Sequence, residues 1–109
     1  MSRSDIFRNP LRLGTVAVAG DSMAPTYMPG DWLLVKWGGR FKLGNTVVIE
    51  QEERPGVFLI KRFIREEDGK YWVEGDSESS TDSRKWGAIP KEEIVGRVLF
   101  RIRRNTENH

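Results

Sequence analysis

Short apolar runs divided by turn-forming residues dominate this sequence and restrict its fold more than any other feature. The runs are rich in Val, Ile, Trp and Phe, and Gly, Pro, Asn or Asp bounds each of them, which is typical of β-strands joined by turns. No long helical period competes with them. We therefore predict a mainly β fold with strands over about Thr15–Ala19, Asp31–Trp37, Thr46–Gln51, Val57–Arg65, Tyr71–Glu74 and Ile94–Arg103.

The length of 109 residues suits a single compact domain and is short for two. We expect one domain over 1–109, with the folded core at about 14–104 and flexible termini at 1–13 and 105–109. The longest apolar stretch after Arg3 and Arg8 is Thr15–Gly20, much shorter than the roughly 20 residues that span a bilayer. We expect neither a membrane anchor nor a cleavable signal.

The charge is nearly balanced, with 18 basic and 16 acidic residues, so the composition gives no support for a nucleic-acid partner. The basic excess is partly local, at Arg97, Arg101, Arg103 and Arg104. Such a run is either the solvated face of a strand or a peripheral contact with phosphates or anionic lipid. We expect a cytoplasmic protein, with peripheral membrane contact as the open alternative.

Counting residues removes several kinds of active site. The chain has no cysteine, which excludes disulfides, a thiol nucleophile and thiolate zinc sites. His109 is the only histidine and lies at the end of the chain, so a triad with a histidine base is not expected. A serine activated by a neutral lysine remains possible, because a lysine amine can replace histidine as the base.

Lys61 is the lysine whose surroundings suit such a base. Its side chain shares a strand face with Leu59 and Phe63, because side chains alternate along a strand. A lysine pKa near 10.4 must fall by about three units for work near neutral pH, and apolar burial favours this shift. The alternative is a lysine at a sheet edge whose amine reaches water.

Three loops stand out between the predicted strands. Gly20–Asp31 holds two prolines and two glycines, which fits a rigid loop that fixes the Ser22 hydroxyl; the alternative is an ordinary turn that Ser22 caps. Glu66–Lys70 is predicted to be a hairpin connection with Asp68-Gly69 as its turn. Ser77–Arg84 is dense in Ser and Asp and is predicted to be a loop.

These segments together resemble the type I signal peptidase family, which cuts with a Ser/Lys dyad. Gly20–Asp31 resembles the family's nucleophile motif, and Lys61-Arg62-Phe63 resembles the segment that carries its general base. Gly75-Asp76 and the following Ser80–Arg84 resemble its last motif. The similarity covers residues 20–90 and implies a compact β-fold like that of signal peptidases and SOS-repressor proteases.

The resemblance implies a role for each matching residue. Ser22 would be the nucleophile, with its backbone amide in the oxyanion hole, and Lys61 the general base. Ser80 would orient the lysine. The remaining roles are a structural ion pair and a wall beside the scissile bond, assigned to Asp82 with Arg84 and to Met23 with Pro25.

The sequence departs from the family pattern at three points. Gly20 stands where some members have a serine whose hydroxyl completes the oxyanion hole. Ser77 replaces the usual asparagine, and the interval from Gly75 to Asp82 is one residue shorter than usual. Ser22 and Lys61 are therefore better defined as site residues than Ser80.

The short interval between Lys61 and Gly75 leaves no room for the second β-domain that many signal peptidases insert there. The chain is in this respect most similar to the maturation proteases of nickel-type superoxide dismutase. That similarity implies an endopeptidase that removes an N-terminal leader from the dismutase precursor, with no metal or organic cofactor of its own. A compact signal peptidase acting on secretory precursors, a self-cleaving SOS-type repressor and a noncatalytic β-barrel binding module are the alternatives.

Overall fold

The computed structural model describes residues 12–105, which form six strands, one short α-helix and one 3-10 turn. The α-helix, α1, covers Ser83–Trp86, and the 3-10 turn covers Lys91–Glu93. The strands are β1 Leu13–Ala17, β2 Trp32–Trp37, β3 Thr46–Glu50, β4 Phe58–Glu67, β5 Lys70–Glu74 and β6 Ile94–Arg103.

All six strands belong to one antiparallel sheet with the order β1-β2-β6-β3-β4-β5. The last strand, β6, lies between β2 and β3 and so joins the pair β1–β2 to the group β3–β4–β5. The pairing is interrupted by register shifts in β2–β6, β3–β6 and β4–β5. Such bulges bend a strand and increase its twist, which lets the sheet curve around its contents.

Two apolar clusters cover opposite faces of the curved sheet. The first contains Val48 and Ile60, and the second contains Val47, Ile49 and Phe63. Neighbouring residues of one strand thus enter different clusters, as the period-2 alternation requires. The central strand β3 is buried on both faces for this reason.

The structure confirms the mainly β fold and all six predicted strands, with ends shifted by one or two residues. The β4–β5 turn at Asp68-Gly69 is also confirmed, because both residues have positive φ, as a two-residue hairpin of this type requires. The predicted loop Ser77–Arg84 is wrong at its end, where Ser83 begins α1. Asp82 caps that helix, and Ser and Asp are common both in loops and at helix N-caps.

The predicted chain ends differ from the structure where it describes them. β1 begins at Leu13, inside the segment expected to be flexible. Asn105 is half-buried, its backbone amide donates to Asp31 Oδ1 at 2.8 Å, and its side-chain amide donates to the Pro29 carbonyl at 2.8 Å. A polar residue without apolar neighbours in sequence is held here by hydrogen bonds. The predictions for 1–11 and 106–109 lie outside the described residues.

Gly14 in β1 tests how tightly the first cluster is packed. A Cβ at this position would overlap with the indole ring of Trp37, which is 7% exposed. We expect Gly14→Ala to lower the free energy of unfolding by about 1–3 kcal/mol, because the ring must leave its packed position. Urea unfolding followed by circular dichroism measures this. Thr15→Val changes the exposed neighbour and should stay within about 0.5 kcal/mol; equal stability of Gly14→Ala would contradict the packing described.

Candidate active site

The loop that carries Ser22 is closed at its base and anchored in the middle. The Val18 amide donates to the Asp31 carbonyl at 2.8 Å, and the Gly30 amide donates to the Val18 carbonyl at 2.7 Å. Met23 is 1% exposed and belongs to the first apolar cluster. Ser22 is half-buried directly before this anchor, so its backbone is held in place.

Asp31 fixes the C-terminal end of the same loop. Its side chain is buried and accepts hydrogen bonds from the backbone amides of Met28, at 2.9 Å, and Asn105, at 2.8 Å. Arg101 Nη1 lies 3.4 Å from Asp31 Oδ2. Burial alone would raise the pKa of Asp31, but these donors outweigh it and hold the pKa below its usual value, so the carboxylate stays charged.

Lys61 lies in β4, opposite Val47 of β3, and is 4% exposed. Its ammonium lies 5.9 Å from the centre of the Trp86 ring, on the side of the second apolar cluster. Burial lowers the pKa of Lys61, nearby Asp82 opposes this shift, and Arg84 adds to it. The sequence-based expectation of a buried lysine is confirmed. The alternative of a noncatalytic binding module predicts an exposed Lys61 that lies apart from Ser22, and the burial of Lys61 disagrees with the first of these two features.

Ser80 is the hydrogen-bond partner of Lys61. Lys61 Nζ donates to Ser80 Oγ at 2.9 Å, and both side chains are buried. The structure thus brings together two side chains that lie 19 positions apart in sequence. The interval from Gly75 to Asp82, one residue shorter than in the family pattern, does not prevent this contact.

Asp82 is fully buried and holds the segment that carries Ser80. Its carboxylate accepts from the Gly75 amide at 2.7 Å and from Arg84 Nη2 at 2.6 Å, and it also caps α1 through the Arg84 amide. Burial would raise the pKa of Asp82, but hydrogen bonds from Arg84, Gly75 and Ser80 hold it well below the usual range. The predicted Asp82–Arg84 ion pair is present.

Gly75 is the point at which the Ser22 loop meets the Ser80 segment. A Cβ at Gly75 would overlap with both the Ser80 side chain and the Ser22 carbonyl oxygen. The Ser77 amide donates to that carbonyl at 2.9 Å. Only a glycine allows this approach, and it places the backbone of Ser22 beside the partner of Lys61.

No hydrogen bond joins the Ser22 and Lys61 side chains within residues 12–105. The Ser22 hydroxyl is half-buried, while the Lys61 amine is occupied by Ser80. Catalytic hydrogen bonds are commonly long or misaligned in a site without substrate and tighten when substrate binds. The geometry therefore positions the lysine and the backbone of the serine, and leaves their proton-transfer contact to be tested.

The residues predicted around the scissile bond differ in exposure. Pro25 is exposed, whereas the Met23 side chain lies in the core. Only Pro25 therefore presents its side chain to a peptide in this structure, and a substrate contact by either residue remains a prediction. Gly20 has φ +78° with open space where a Cβ would be, so it provides no side-chain donor for an oxyanion.

Sequence reasoning missed a second link across the site. Arg62 grips Asp76 through Nε, at 2.8 Å, and Nη2, at 2.7 Å, and Thr26 Oγ1 donates to the same carboxylate at 2.5 Å. The Arg62 hydrogen bond lowers the pKa of Asp76. Thr26 belongs to the Ser22 loop and Arg62 follows Lys61, so this ion pair joins the loop to the strand of the lysine. The signal was available in the Lys61-Arg62 and Gly75-Asp76 motifs.

The described part of the chain contains no group of three or more His, Cys, Asp or Glu side chains that could hold a metal ion. Among the same residues, no helix has the length and apolar character needed to cross a bilayer.

Comparison with known proteins identifies relatives. Residues 1–99 match the model of the Peptidase S24-like family. Subunit 1 of the mitochondrial inner membrane protease of Xenopus tropicalis is 31% identical over 83% of this chain and 70% of its own length. Subunit 2 of the Schizosaccharomyces pombe protease is 29% identical over 75% of this chain, and a probable signal peptidase I-1 of Synechocystis is 32% identical over 69%.

The chain matches 60% of the length of the Schizosaccharomyces pombe subunit and 38% of the Synechocystis protein. These relatives are proteases by name, in agreement with the predicted similarity to signal peptidases. The nickel superoxide dismutase proteases are not among the matches named here. With the family model covering nearly the whole chain, this protein belongs to the Peptidase S24-like family.

Proposed function

We propose that this protein is a serine endopeptidase in which Lys61 activates Ser22. The observation that carries the proposal is the buried Lys61 amine, whose pKa is lowered by burial and whose hydrogen-bond partner is Ser80. A lysine buried at a cost in stability and ordered by a polar partner is typical of a functional group. Membership of a peptidase family supports the same conclusion.

Acylation follows from the chemistry of this pair. Neutral Lys61 takes the proton of the Ser22 hydroxyl as Oγ attacks the carbonyl carbon of the substrate peptide bond. The tetrahedral intermediate collapses, the C–N bond breaks, and the Lys61 ammonium gives its proton to the leaving amine. Lys61 is then neutral again, and the substrate acyl group is bound to Ser22 as an ester.

Deacylation repeats these steps with water. Lys61 takes a proton from the water that attacks the ester, and returns it to Ser22 Oγ as the acid leaves. The Ser22 backbone amide, held by the anchored loop, supplies one oxyanion donor. Gly20 supplies no side-chain donor, so a second donor must come from another group, such as a backbone amide.

Ser80 is proposed to be a positioning residue for Lys61. Its oxygen accepts one N–H of the lysine, which restricts rotation of the amine and favours one direction for the lone pair. It also stabilises the charged form of Lys61, because a hydrogen bond to a charged group favours that form. Asp82 and Arg84 act one step further away by holding the Ser80 segment.

The proposed substrate is a protein precursor with an N-terminal leader. The maturation of nickel superoxide dismutase in the cytoplasm is the first candidate, and it rests on the compact form predicted from the sequence. Cleavage of secretory precursors at a membrane surface is the second, and the names of the relatives favour it: a probable signal peptidase and inner membrane proteases. The two candidates differ in substrate and in location, and a cleavage experiment distinguishes their substrates.

Substitution of the two proposed catalytic residues tests the mechanism and the substrate together. Purified wild type, Ser22→Ala and Lys61→Ala are incubated with a nickel superoxide dismutase precursor or a secretory precursor, and the products are analysed by mass spectrometry. We expect one N-terminal cut by wild type, and at least about a 10⁴-fold loss of kcat/KM in both variants.

Ser79→Ala and Lys70→Ala are the matched controls, because both side chains are exposed, and they should retain activity. The precursor that is cut decides between the two substrate candidates. Full activity of a folded Ser22→Ala variant, or cleavage of neither precursor by wild type, would contradict the proposal.

The pH dependence of cleavage tests Lys61 as the base. Because only the neutral amine accepts a proton, kcat/KM should rise with pH and level off above the Lys61 pKa, which burial holds below the ordinary value of 10.5. Ser80→Ala should lower the plateau about 100-fold and move the rise to lower pH, because the charged amine loses its acceptor. A rise that continues beyond pH 10, or a Ser80→Ala profile with an unchanged midpoint, would contradict these roles.

Stability gives a test of Lys61 that needs no substrate. The pKa of Lys61 is lower in the folded than in the unfolded chain, so the unfolded chain binds the proton more tightly, and this cost is present in full below the folded pKa. Lys61→Met should therefore raise the free energy of unfolding at pH 7 by on the order of 1 kcal/mol.

The gain from Lys61→Met should shrink as the pH approaches 10.5, where the unfolded chain also loses the proton. Urea unfolding at pH 7 and pH 10 measures it, with exposed Lys70→Met as the control. A loss of stability at pH 7 in Lys61→Met would contradict the desolvation of Lys61.

A further inference from the structure

An aromatic groove lies on the face of the sheet that carries Lys61. Its walls are residues 39–43, the second half of β4, Tyr71 of β5 and Lys91, and it encloses about 620 Å³. Phe41, Phe63 and Tyr71 form its floor, with ring centres 5.2–5.4 Å apart in edge-to-face contact. Phe63 is buried, whereas Phe41 and Tyr71 are half-buried and present ring surface to the groove.

Positive charge surrounds this apolar floor. Four basic side chains line the groove against one carboxylate, that of Glu66. Arg65 is already paired with Glu67 and lies over the Trp72 ring. The other three, Arg40, Lys42 and Lys91, are exposed, and within residues 12–105 none of them forms an ion pair.

The groove lies close to Lys61 of the candidate active site, on the same strand. Phe63 and Lys61 lie on the same face, two residues apart, which places them about 7 Å from each other along the strand. Both border the second apolar cluster, which includes Phe41, Tyr71 and Trp86. The two-residue β4–β5 turn adds no residues that would cover this end of the sheet. Only two strand positions therefore separate Lys61 from the floor of the groove.

We propose that the aromatic groove is an exosite that binds an acidic segment of the protein substrate, carrying at least one aromatic or large apolar side chain, outside the cleavage site. This inference rests on the proposed function for the identity of the partner. The unpaired cations match carboxylates, and the half-exposed rings match an apolar anchor between them. The groove thus selects precursors by a segment distant from the bond that is cut.

A peptide occupant fits the groove better than a nucleic acid does. The cavity has the volume of a few side chains, and its floor is three rings in edge-to-face contact rather than a row of parallel rings on which bases stack. The net charge of the whole chain is only +2, far from the broad positive field that phosphate backbones require. Nucleic acid is therefore one of the outcomes that the test separates.

Binding to the groove can be measured without cleavage. The probe is a fluorescein-labelled octapeptide of alternating glutamate and phenylalanine, and the protein is the full chain with Ser22→Ala. We expect saturable binding by fluorescence anisotropy that weakens with salt and falls about tenfold or more in Arg40→Glu/Lys91→Glu. A glutamine–phenylalanine octapeptide should bind at least about tenfold more weakly than the glutamate peptide.

The matched control is Lys36→Glu/Arg54→Glu, which reverses one lysine and one arginine charge at exposed positions outside the groove lining. It should bind the probe as the parent does, and circular dichroism should show both double variants folded. Equal binding by the groove variant and its control, or equal binding of the glutamate and glutamine peptides, would overturn the exosite. A single-stranded oligonucleotide that displaces the labelled peptide at a lower concentration than the unlabelled glutamate peptide does would also overturn it.

Cleavage kinetics then connect the groove to the substrate. For the precursor that wild type cuts, we compare kcat/KM with that of a short peptide that spans only the cleavage site. The ratio of the two kcat/KM values, precursor over short peptide, should fall about tenfold in Arg40→Glu/Lys91→Glu, because KM for the precursor rises. It should stay constant in the control. Probe binding without cleavage of any precursor would retain the exosite and reject the proposed function. Cleavage with an unchanged ratio and no probe binding would retain the proposed function and reject the exosite.

Discussion

The buried carboxylate of Asp82 is the interaction on which the candidate site depends. It accepts hydrogen bonds from the Gly75 amide, from the guanidinium of Arg84 and from the Arg84 amide in the first turn of α1. Because the carboxylate is fully buried, water does not replace these donors. Removing one partner of a buried charge leaves the others unpaired, which is more costly than losing a surface ion pair. Through these bonds the Ser80 hydroxyl is held against Lys61, so the position of the Lys61 amine depends on a residue with which it forms no hydrogen bond.

The site combines two demands that oppose each other in folding. A buried lysine is unfavourable for the fold, because the apolar surroundings that lower its pKa also remove its hydration. The sheet tolerates this because the two apolar clusters stabilise the surrounding fold, and because Ser80 and the nearby Asp82 carboxylate compensate part of the lost hydration. The Arg62–Asp76 pair next to it is only partly buried and links strand and loop without adding a second desolvated charge.

The sequence was sufficient for the strands, which follow from local alternation. Alternation also placed Lys61 on one face with its apolar neighbours at positions 59 and 63, but it left a sheet-edge lysine as the alternative, and the burial of the amine is shown by the fold. The sequence was insufficient where partners are distant. α1 begins inside a segment whose Ser and Asp content fits loop and helix cap equally, and only the capping bond of Asp82 decides. Asn105 looked like part of a tail because its partners, Asp31 and Pro29, are more than 70 positions away. The contact between the Ser22 and Lys61 side chains is not given by sequence or by fold.

The hydrogen bonds of Asn105 also have a practical meaning for how this protein is handled. They hold the chain directly after β6 against Pro29 and Asp31, at the C-terminal end of the Gly20–Asp31 loop. A truncation that removes Asn105 would take away both hydrogen bonds to this end of the loop, so a shortened variant of the protein should retain this residue.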